Sequence, residues 1–233
     1  MRSLLLAALS LLLYFSSVAQ QPLKLEDMEI RDSAGMVYPP VVLQKLLQSG
    51  RYTVMRQAGT NIGVLRKLSE EEFERRLSRM PKPRETDVFK TGTKITSFSE
   101  RDINGVKFSL KELEGKIVVI NFWFIGCPPC RQEMPELNEL VETYKDNKDV
   151  VFIGVSLDQR YEIKDFLKTH PFTYNIIDNG RYITEKYGIH LFPTHLVLDR
   201  AGKVLFHAVG GGMNTVNWIK KAIRAGLAGE PLP

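Results

Sequence analysis

The sequence predicts an α/β fold with a mixed central sheet flanked by helices, preceded by a small N-terminal α+β appendage. Near-continuous apolar runs, typical of buried strands, alternate with segments of helical periodicity from about residue 95 onwards. The last two predicted strands are joined at Arg200-Ala201-Gly202, and so short a connection indicates an antiparallel edge. The composition is 43% hydrophobic and 25% charged over 233 residues, which excludes collagen, low-complexity disorder and a polytopic membrane protein.

The charge and the cysteine count exclude further classes. The 32 basic and 27 acidic residues are interspersed, and no run of Lys and Arg is interleaved with aromatic residues. The net charge of +5 therefore predicts a solvated mixed-charge surface and no nucleic-acid partner. The two cysteines, Cys127 and Cys130, are too few for a disulfide-stapled mini-protein or a zinc site built from four thiolates.

The first 19 residues have the pattern of a secretory signal peptide. Arg2 precedes an apolar run over residues 4–15, and Ser17-Val18-Ala19 supplies a small-x-small cleavage site. The alternative is an uncleaved anchor, but the run is shorter than the roughly 20 apolar residues that span a bilayer. We therefore expect an exported chain in the periplasm or cell envelope, where a cysteine pair can be oxidised.

Residues 20–90 are predicted to form the appendage and a linker. Helices are expected over 44–48 and over 70–80, the second beginning at a Ser69/Glu72 capping box. Strands are expected over 51–57 and 62–68. Pro81-Lys82-Pro83 starts the linker. These residues show no catalytic constellation, so a packing or partner-docking role is the default interpretation.

Residues 91–233 are predicted to form the main domain. Strands are expected over 98–102, 106–109, 116–124, 150–157, 172–177, 194–199 and 204–209. The first two flank Asn104-Gly105, a hairpin signal. Helices are expected over 131–146, 163–168, 182–187 and 214–225, and Pro135 should kink the first of them.

The motif that carries chemistry is Cys127-Pro128-Pro129-Cys130, which follows a buried strand and opens a helix. The free N–H groups and the positive dipole end of a helix favour a thiolate at its N-terminus. Cys127 is therefore the predicted nucleophile, and the more buried Cys130 would resolve the mixed disulfide. Pro128 and Pro129 remove donors near the sulfurs and stiffen the turn.

Two other interpretations of the cysteine pair stay open. It could be a merely structural disulfide. It could also be half of a metal site in an extracytoplasmic metal-binding module, although the available nitrogen ligands show no ligand spacing with one another. Those ligands are His170, His190, His195 and His207. We predict no metal and no cofactor.

From about Thr96 to the C-terminus the chain resembles the TlpA/ResA-like branch of the thioredoxin family, the extracytoplasmic thiol–disulfide oxidoreductases. The likeness covers about 138 of the 233 residues. The matching segments are Val118-Val-Ile-Asn-Phe-Trp-Phe-Ile-Gly-Cys-Pro-Pro-Cys-Arg-Gln-Glu-Met-Pro135, Val151-Phe-Ile-Gly-Val-Ser-Leu-Asp158 and Tyr187-Gly-Ile-His-Leu-Phe-Pro-Thr194. The resemblance implies a thioredoxin-like fold that transfers reducing equivalents between protein thiols.

The resemblance also implies residue roles in client binding. Pro193 matches the cis-proline that faces the redox pair, and with Phe192 it would pair with an extended client segment. The alternative for Phe192-Pro193 is an ordinary proline at a strand start. Trp123 matches the aromatic residue beside the motif, although core packing alone would also explain it. Pro128 and Pro129 complete the implied client contacts.

Glu133, three residues after Cys130, matches a partly buried acid that moves protons as the thiols open and close. The alternative is an exposed first-turn glutamate that favours the helix dipole. Ordinary thioredoxins carry a buried aspartate on the strand before the motif, and this chain has Asn121 there. Because an amide does not titrate, Glu133 is the better candidate for the proton step.

The predicted function is an exported thiol–disulfide oxidoreductase that reduces protein disulfides. Its expected partners are protein thiol or disulfide clients and an upstream electron donor in the membrane. The alternative within the same fold is a thiol peroxidase of the peroxiredoxin kind. Such enzymes place Thr or Ser three residues before the reactive Cys, whereas this chain has Phe124.

Overall fold

The computed structural model describes residues 27–232. The signal peptide predicted over residues 1–19 lies outside that range. The chain divides into two compact units, one ending at Leu68 and the other beginning at Ser69. Within residues 27–232, no helix combines the length and apolar character needed to cross a bilayer.

Over residues 27–68, the first unit is a three-stranded sheet with one helix. Its elements are β1 (Glu29–Arg31), α1 (Pro40–Gln48), β2 (Tyr52–Arg56) and β3 (Ile62–Lys67). β3 lies in the middle, antiparallel to β2 and parallel to β1. The strands and the helix predicted here are confirmed, while β1 was not predicted, because three residues are too few to show an alternating pattern.

The second unit contains the main sheet and its helices. In chain order its elements are α2 (Glu70–Ser78), β4 (Ser99–Arg101), β5 (Lys107–Ser109), β6 (Ile117–Trp123), α3 (Pro128–Thr143), β7 (Val150–Ser156), α4 (Arg160–Phe166), β8 (Asn175–Ile177), α5 (Arg181–Tyr187), β9 (Thr194–Leu198), β10 (Val204–Val209) and α6 (Thr215–Ala228). The order in the main sheet is β10-β9-β6-β7-β8. β6, β7 and β8 are parallel, whereas β9 is antiparallel to both β6 and β10, so the predicted mixed sheet is confirmed.

All seven residues of β6 are buried, because helices and loops cover both faces of the sheet. Ile117, Val119 and Trp123 pack into the core shared with α3 and α6. Val118, Ile120 and Phe122 pack on the other face, in the core shared with α5. Side chains alternate between faces along a strand, so Asn121 belongs to the face that α3 covers.

α1 begins at Pro40 rather than at residue 44, and α3 and α4 also begin at least three residues earlier than predicted, in each case because of chemistry at the N-terminus. α3 begins at Pro128 rather than at residue 131, since proline is well tolerated where a helix amide has no partner. α4 begins at Arg160 rather than at residue 163, since the Glu162 carboxylate accepts a hydrogen bond from the Gln159 N–H. Pro135 lies inside α3, which continues through it.

Neighbouring segments cover both edges of the main sheet. Along β10, the Val209 N–H donates to Arg84 O at 2.9 Å and the Val204 N–H donates to Thr93 O at 2.9 Å. On the opposite edge, the Ile103 N–H donates to Ile176 O at 2.8 Å. The segment before the main sheet is therefore part of its hydrogen-bonded structure.

His207 on β10 anchors this segment and gives the fold a pH dependence. Its Nδ1 accepts from the Thr86 N–H at 3.1 Å. Burial lowers the pKa of His207, opposed by the nearby Glu85 and reinforced by Lys82. The unfolded chain therefore binds a proton at this histidine more readily than the folded chain does. Neutral His207 stabilises the fold above the ordinary histidine pKa of about 6.5, and this stabilisation is lost as pH falls through the lower pKa of the folded state.

We expect the free energy of unfolding to fall less steeply in His207→Asn than in the wild type between about pH 7.5 and about pH 5.5. Asparagine keeps an acceptor for Thr86 but cannot titrate. Urea unfolding followed by circular dichroism measures the difference, and His170→Asn, at an exposed histidine, is the control. Parallel pH curves for the wild type and His207→Asn would contradict the assignment.

Candidate active site

Cys127 and Cys130 form a disulfide at the first turn of α3, with their Cα atoms 5.3 Å apart. Cys127 is the N-cap residue, and its Sγ accepts from the Cys130 N–H at 3.3 Å. Pro128 and Pro129 have no N–H, so Cys130 supplies the first helix amide that can reach the sulfur. Cys127 is 3% exposed and Cys130 is 1% exposed, which agrees in direction with the predicted order of burial.

The loop that leads into the motif is held by Asp158, which follows the C-terminal end of β7. Its Oδ2 accepts from the Ile125 N–H at 2.7 Å and from the Ser156 hydroxyl at 2.8 Å. This fixes the backbone two residues before Cys127. Sequence analysis gave Asp158 no role, although a polar residue after a buried parallel strand is a usual sign of a site at that sheet edge.

The Phe192–Pro193 peptide bond is cis, as predicted. Pro193 comes directly before β9, whose Thr194 pairs with Phe122 at the end of β6 where the chain turns toward the cysteines. Phe192 is half-buried and packs edge-to-face against Phe124, with ring centroids 5.4 Å apart. The loop after β6 and the cis-proline loop are therefore in direct contact.

A glycine pair connects the cis-proline loop to the start of α3. The Gly210 N–H donates to Pro193 O at 2.8 Å. A Cβ atom added to Gly211 would lie 3.0 Å from Cβ of Pro129, which is tighter than ordinary packing. Glycine therefore permits this close approach. Sequence analysis missed both glycines, and the run Gly210-Gly211-Gly212 was the available signal.

Three polar side chains meet behind α3. The Asn121 Nδ2 lies 3.3 Å from Oε1 of Glu133 and 3.2 Å from Nδ1 of His195. The Nε2 of His195 lies 2.9 Å from the same Oε1. Glu133 is 8% exposed, so it is the buried acid that the resemblance implied and not an exposed first-turn glutamate. Sequence analysis named His195 only as a possible metal ligand.

The Glu133 carboxylate also affects the pKa of a buried tyrosine, Tyr174. Burial, and then the Glu133 carboxylate, raise the pKa of Tyr174 well above its usual value. Tyr174 is therefore neutral at physiological pH. Its hydroxyl and Oε2 of Glu133 have no hydrogen-bond partner among the described residues.

The structure places the remaining predicted residues in two environments. Trp123 is fully buried, with its ring 5.5 Å from that of Phe172, so it belongs to the core beneath the site and not to a surface that a client can touch. Pro128 is exposed and Pro129 is half-buried, so both can contact a client. Phe124 is half-buried, and it leaves the position that peroxiredoxins give to Thr or Ser without a hydroxyl.

No group of three or more His, Cys, Asp or Glu side chains within residues 27–232 is arranged to hold a metal ion. The described geometry supports the chemistry of the cysteine pair, with the buried carboxyl group of Glu133 one helical turn away.

A Cys-x-x-Cys disulfide at the start of the helix after the central strand, in contact with a cis-proline loop, defines a thioredoxin-like thiol–disulfide oxidoreductase. Residues 91–207, just over half of the chain, match the AhpC/TSA family, and the chain belongs to that family. Together with the relatives described next, this confirms the predicted fold class and enzyme class.

Individual relatives agree with this class. The thiol-disulfide oxidoreductase ResA of Bacillus thuringiensis (strain Al Hakam) is 36% identical over 121 residues, which are 51% of this chain and 69% of that protein. The thioredoxin-like protein YneN of Bacillus subtilis (strain 168) is 33% identical over 115 residues, 48% of this chain and 68% of YneN. A solved Chlorobium tepidum structure, provisionally named thiol:disulfide interchange protein DsbE, is 28% identical with a TM-score of 0.55, covering 60% of this chain and 99% of its own.

Proposed function

We propose that this chain is an exported reductase of protein disulfides that works in the periplasm or cell envelope through the Cys127–Cys130 dithiol. The observation that carries the proposal is the disulfide at the first turn of α3, where the Cys130 N–H donates to the Cys127 sulfur. This donor and the positive end of the helix favour a thiolate on Cys127 once the pair is reduced. The signal peptide predicted over residues 1–19 supports export.

The reaction begins with the reduced pair. The Cys127 thiolate attacks a client disulfide, so that one S–S bond breaks, a mixed disulfide forms and a client thiolate leaves. Cys130 then loses its proton to Glu133, and its sulfur attacks Sγ of Cys127. The enzyme disulfide forms again, and the second client thiolate is released. One client thiolate takes the proton held by Glu133 and the other takes a proton from solvent, which received one when the Cys127 thiolate formed. The client therefore gains two electrons and two protons, and the enzyme pair is oxidised to the disulfide.

The described structure, with its cysteines joined, represents the oxidised end of this cycle. Resetting the pair needs two electrons and two protons. We assign their supply to an electron donor in the membrane, because a domain outside the cytoplasm is cut off from cytoplasmic reductants.

The cis-proline loop is the proposed client site. Since Gly210 already engages the Pro193 carbonyl, we assign backbone pairing with the client to Phe192. A cavity of about 250 Å³ lies beside this loop, with apolar walls that include Val88, Ile189 and Leu191. Leu191 is 53% exposed, so it is available to an apolar side chain of a client bound at the cis-proline loop.

We expect Leu191→Glu to lower kcat/KM for a protein disulfide such as insulin by about tenfold, through KM, because a charge replaces apolar contact worth about 1.4 kcal/mol. A small disulfide such as oxidised glutathione should react as before. Tyr161→Glu, at a residue 73% exposed and outside the cavity lining, is the control. Equal losses for insulin and the small disulfide would contradict the client site.

The midpoint potential of the Cys127–Cys130 pair tests the direction of the reaction. A value near that of thioredoxin, about −270 mV, supports a reductase, whereas a value near about −120 mV supports an oxidant. Equilibration with glutathione or dithiothreitol buffers, read by alkylation and mass spectrometry, gives the potential. A high potential together with no insulin reduction would overturn the proposal.

A further inference from the structure

His195 is a fully buried histidine that the cysteine chemistry leaves unused. It lies directly opposite Asn121 in the β6–β9 ladder, and opposite side chains in a ladder share a face of the sheet. Glu133 reaches the same place from α3, one helical turn after Cys130. The sheet and the helix thus bring an amide, an imidazole and a carboxylate together behind the resolving cysteine.

The contacts assign donors and acceptors in this cluster. An asparagine amide has two N–H donors, and the Asn121 amide faces both Glu133 Oε1 and His195 Nδ1. The imidazole therefore accepts at Nδ1, and its neutral form carries the proton on Nε2. That nitrogen lies 2.9 Å from Oε1 of Glu133, in electrostatic contact but outside hydrogen-bond alignment. Both nitrogens lie against the same carboxylate oxygen, and Oε2 has no hydrogen-bond partner among the described residues.

We propose that His195 is a positioning residue for the proton step, acting through Glu133. The inference rests on the proposed function, in which Glu133 takes the Cys130 proton. The Asn121 amide donates to Oε1, and the adjacent Nε2–H of His195 stabilises the ionised carboxylate by electrostatic contact. Oε2 then accepts the proton: the S–H bond of Cys130 breaks and an O–H bond forms on Glu133. The sulfur electron pair attacks Sγ of Cys127, the bond between Cys127 and the client sulfur breaks, and the client leaves as a thiolate. The imidazole keeps its own proton throughout.

Few other titratable groups face this cluster. Tyr174 comes from the segment before β8, and the two cysteines come from α3. The partners of His195 and Asn121 on β10 and β7 are Ala208 and Gly154. His207 pairs with Leu196 and so lies on the other face of the sheet. The buried residues of α6 carry no titratable group; they are Thr215, Ile219, Ala222, Ile223, Ala225 and Gly226.

The test compares two amides at position 195 in the full chain. His195→Gln carries an N–H near the place of Nε2 and can still reach Glu133. His195→Asn keeps a polar atom for Asn121 but is too short to reach Glu133. Insulin reduction is measured from about pH 5 to about pH 9, and the carboxyl band that Glu133→Gln removes is titrated by infrared spectroscopy.

We expect His195→Asn to move the midpoint of the acidic limb, and of the infrared titration, upward by about one pH unit, a tenfold effect. His195→Gln should stay near the wild type, and His195→Asn should cause no further shift in a Glu133→Gln background. If His195→Asn does not fold, His195→Leu takes its place with the same expected shift.

Three results would overturn the proposal: unmoved midpoints in His195→Asn, an equal shift in the Glu133→Gln background, or equal shifts for Asn and Gln. Failure of the proposed function looks different. The wild type would then fail to reduce insulin at any pH, while the infrared titration still reports whether His195 stabilises the Glu133 carboxylate.

Discussion

Cys127→Ser is expected to reduce insulin turnover below about a thousandth of the wild-type rate, because no thiolate remains to attack the client disulfide. The fold should persist, since β6 and α3 are held by a core that extends well beyond the two sulfurs. The measurement is insulin reduction with dithiothreitol as electron source, with unfolding curves recorded alongside.

Cys130→Ser is the matched control for this expectation. Cys127 can still attack, but the mixed disulfide then has no resolving thiol, so the client stays attached and mass spectrometry identifies it. If Cys127→Ser keeps the full rate, or if it forms covalent client complexes through Cys130, the nucleophile is Cys130 and not Cys127.

Trp123→Ala is expected to cost about 3–5 kcal/mol of unfolding free energy, a large part of the roughly 5–15 kcal/mol that stabilises a typical domain. The ring is fully buried between β6 and the aromatic rings of Phe166 and Phe172, so its removal leaves a cavity. Urea unfolding followed by circular dichroism measures the loss. Trp123→Phe, which fills part of the space, should lose less.

Trp218→Ala is the comparison for Trp123. This second tryptophan is half-buried on α6, stacked on Phe206 and capped by the Lys221 ammonium 4.7 Å from its ring centroid. Its truncation should therefore cost less than that of Trp123. Equal losses at the two positions would mean that Trp123 is not the more deeply packed ring, and its exposure to clients would have to be reconsidered.

The sequence predicted the main sheet well because the relevant signals are local. The apolar run of β6 and the Ser69/Glu72 capping box each lie within a few residues, and the structure confirms both. The start of α3 was placed at residue 131 although Pro128 is the first helical residue, because apolar periodicity gives no information about a turn that contains two prolines.

The cysteines and the cis-proline were accessible to sequence analysis because their motifs are distinctive. The His195–Glu133 contact was not, because it joins residues that are 62 positions apart and depends on the β6–β9 register. The role of Asp158 was not predictable either, because its hydrogen-bond partner Ile125 comes from a different loop. Such contacts become visible only when the register of the sheet is known.

The segments that are hydrogen-bonded along β10 and β8 also decide how far the chain can be truncated from its N-terminal side. If a truncation started at the family boundary, residue 91, the hydrogen bond from Val209 to Arg84 and the Thr86–His207 contact would be lost. The end of β10 at Val209 would then be bare and could pair with another copy, while Gly92 and Thr93 would still cover Val204. A minimal redox module cut at residue 91 would therefore be prone to self-association, so a usable one has to retain Arg84 and Thr86.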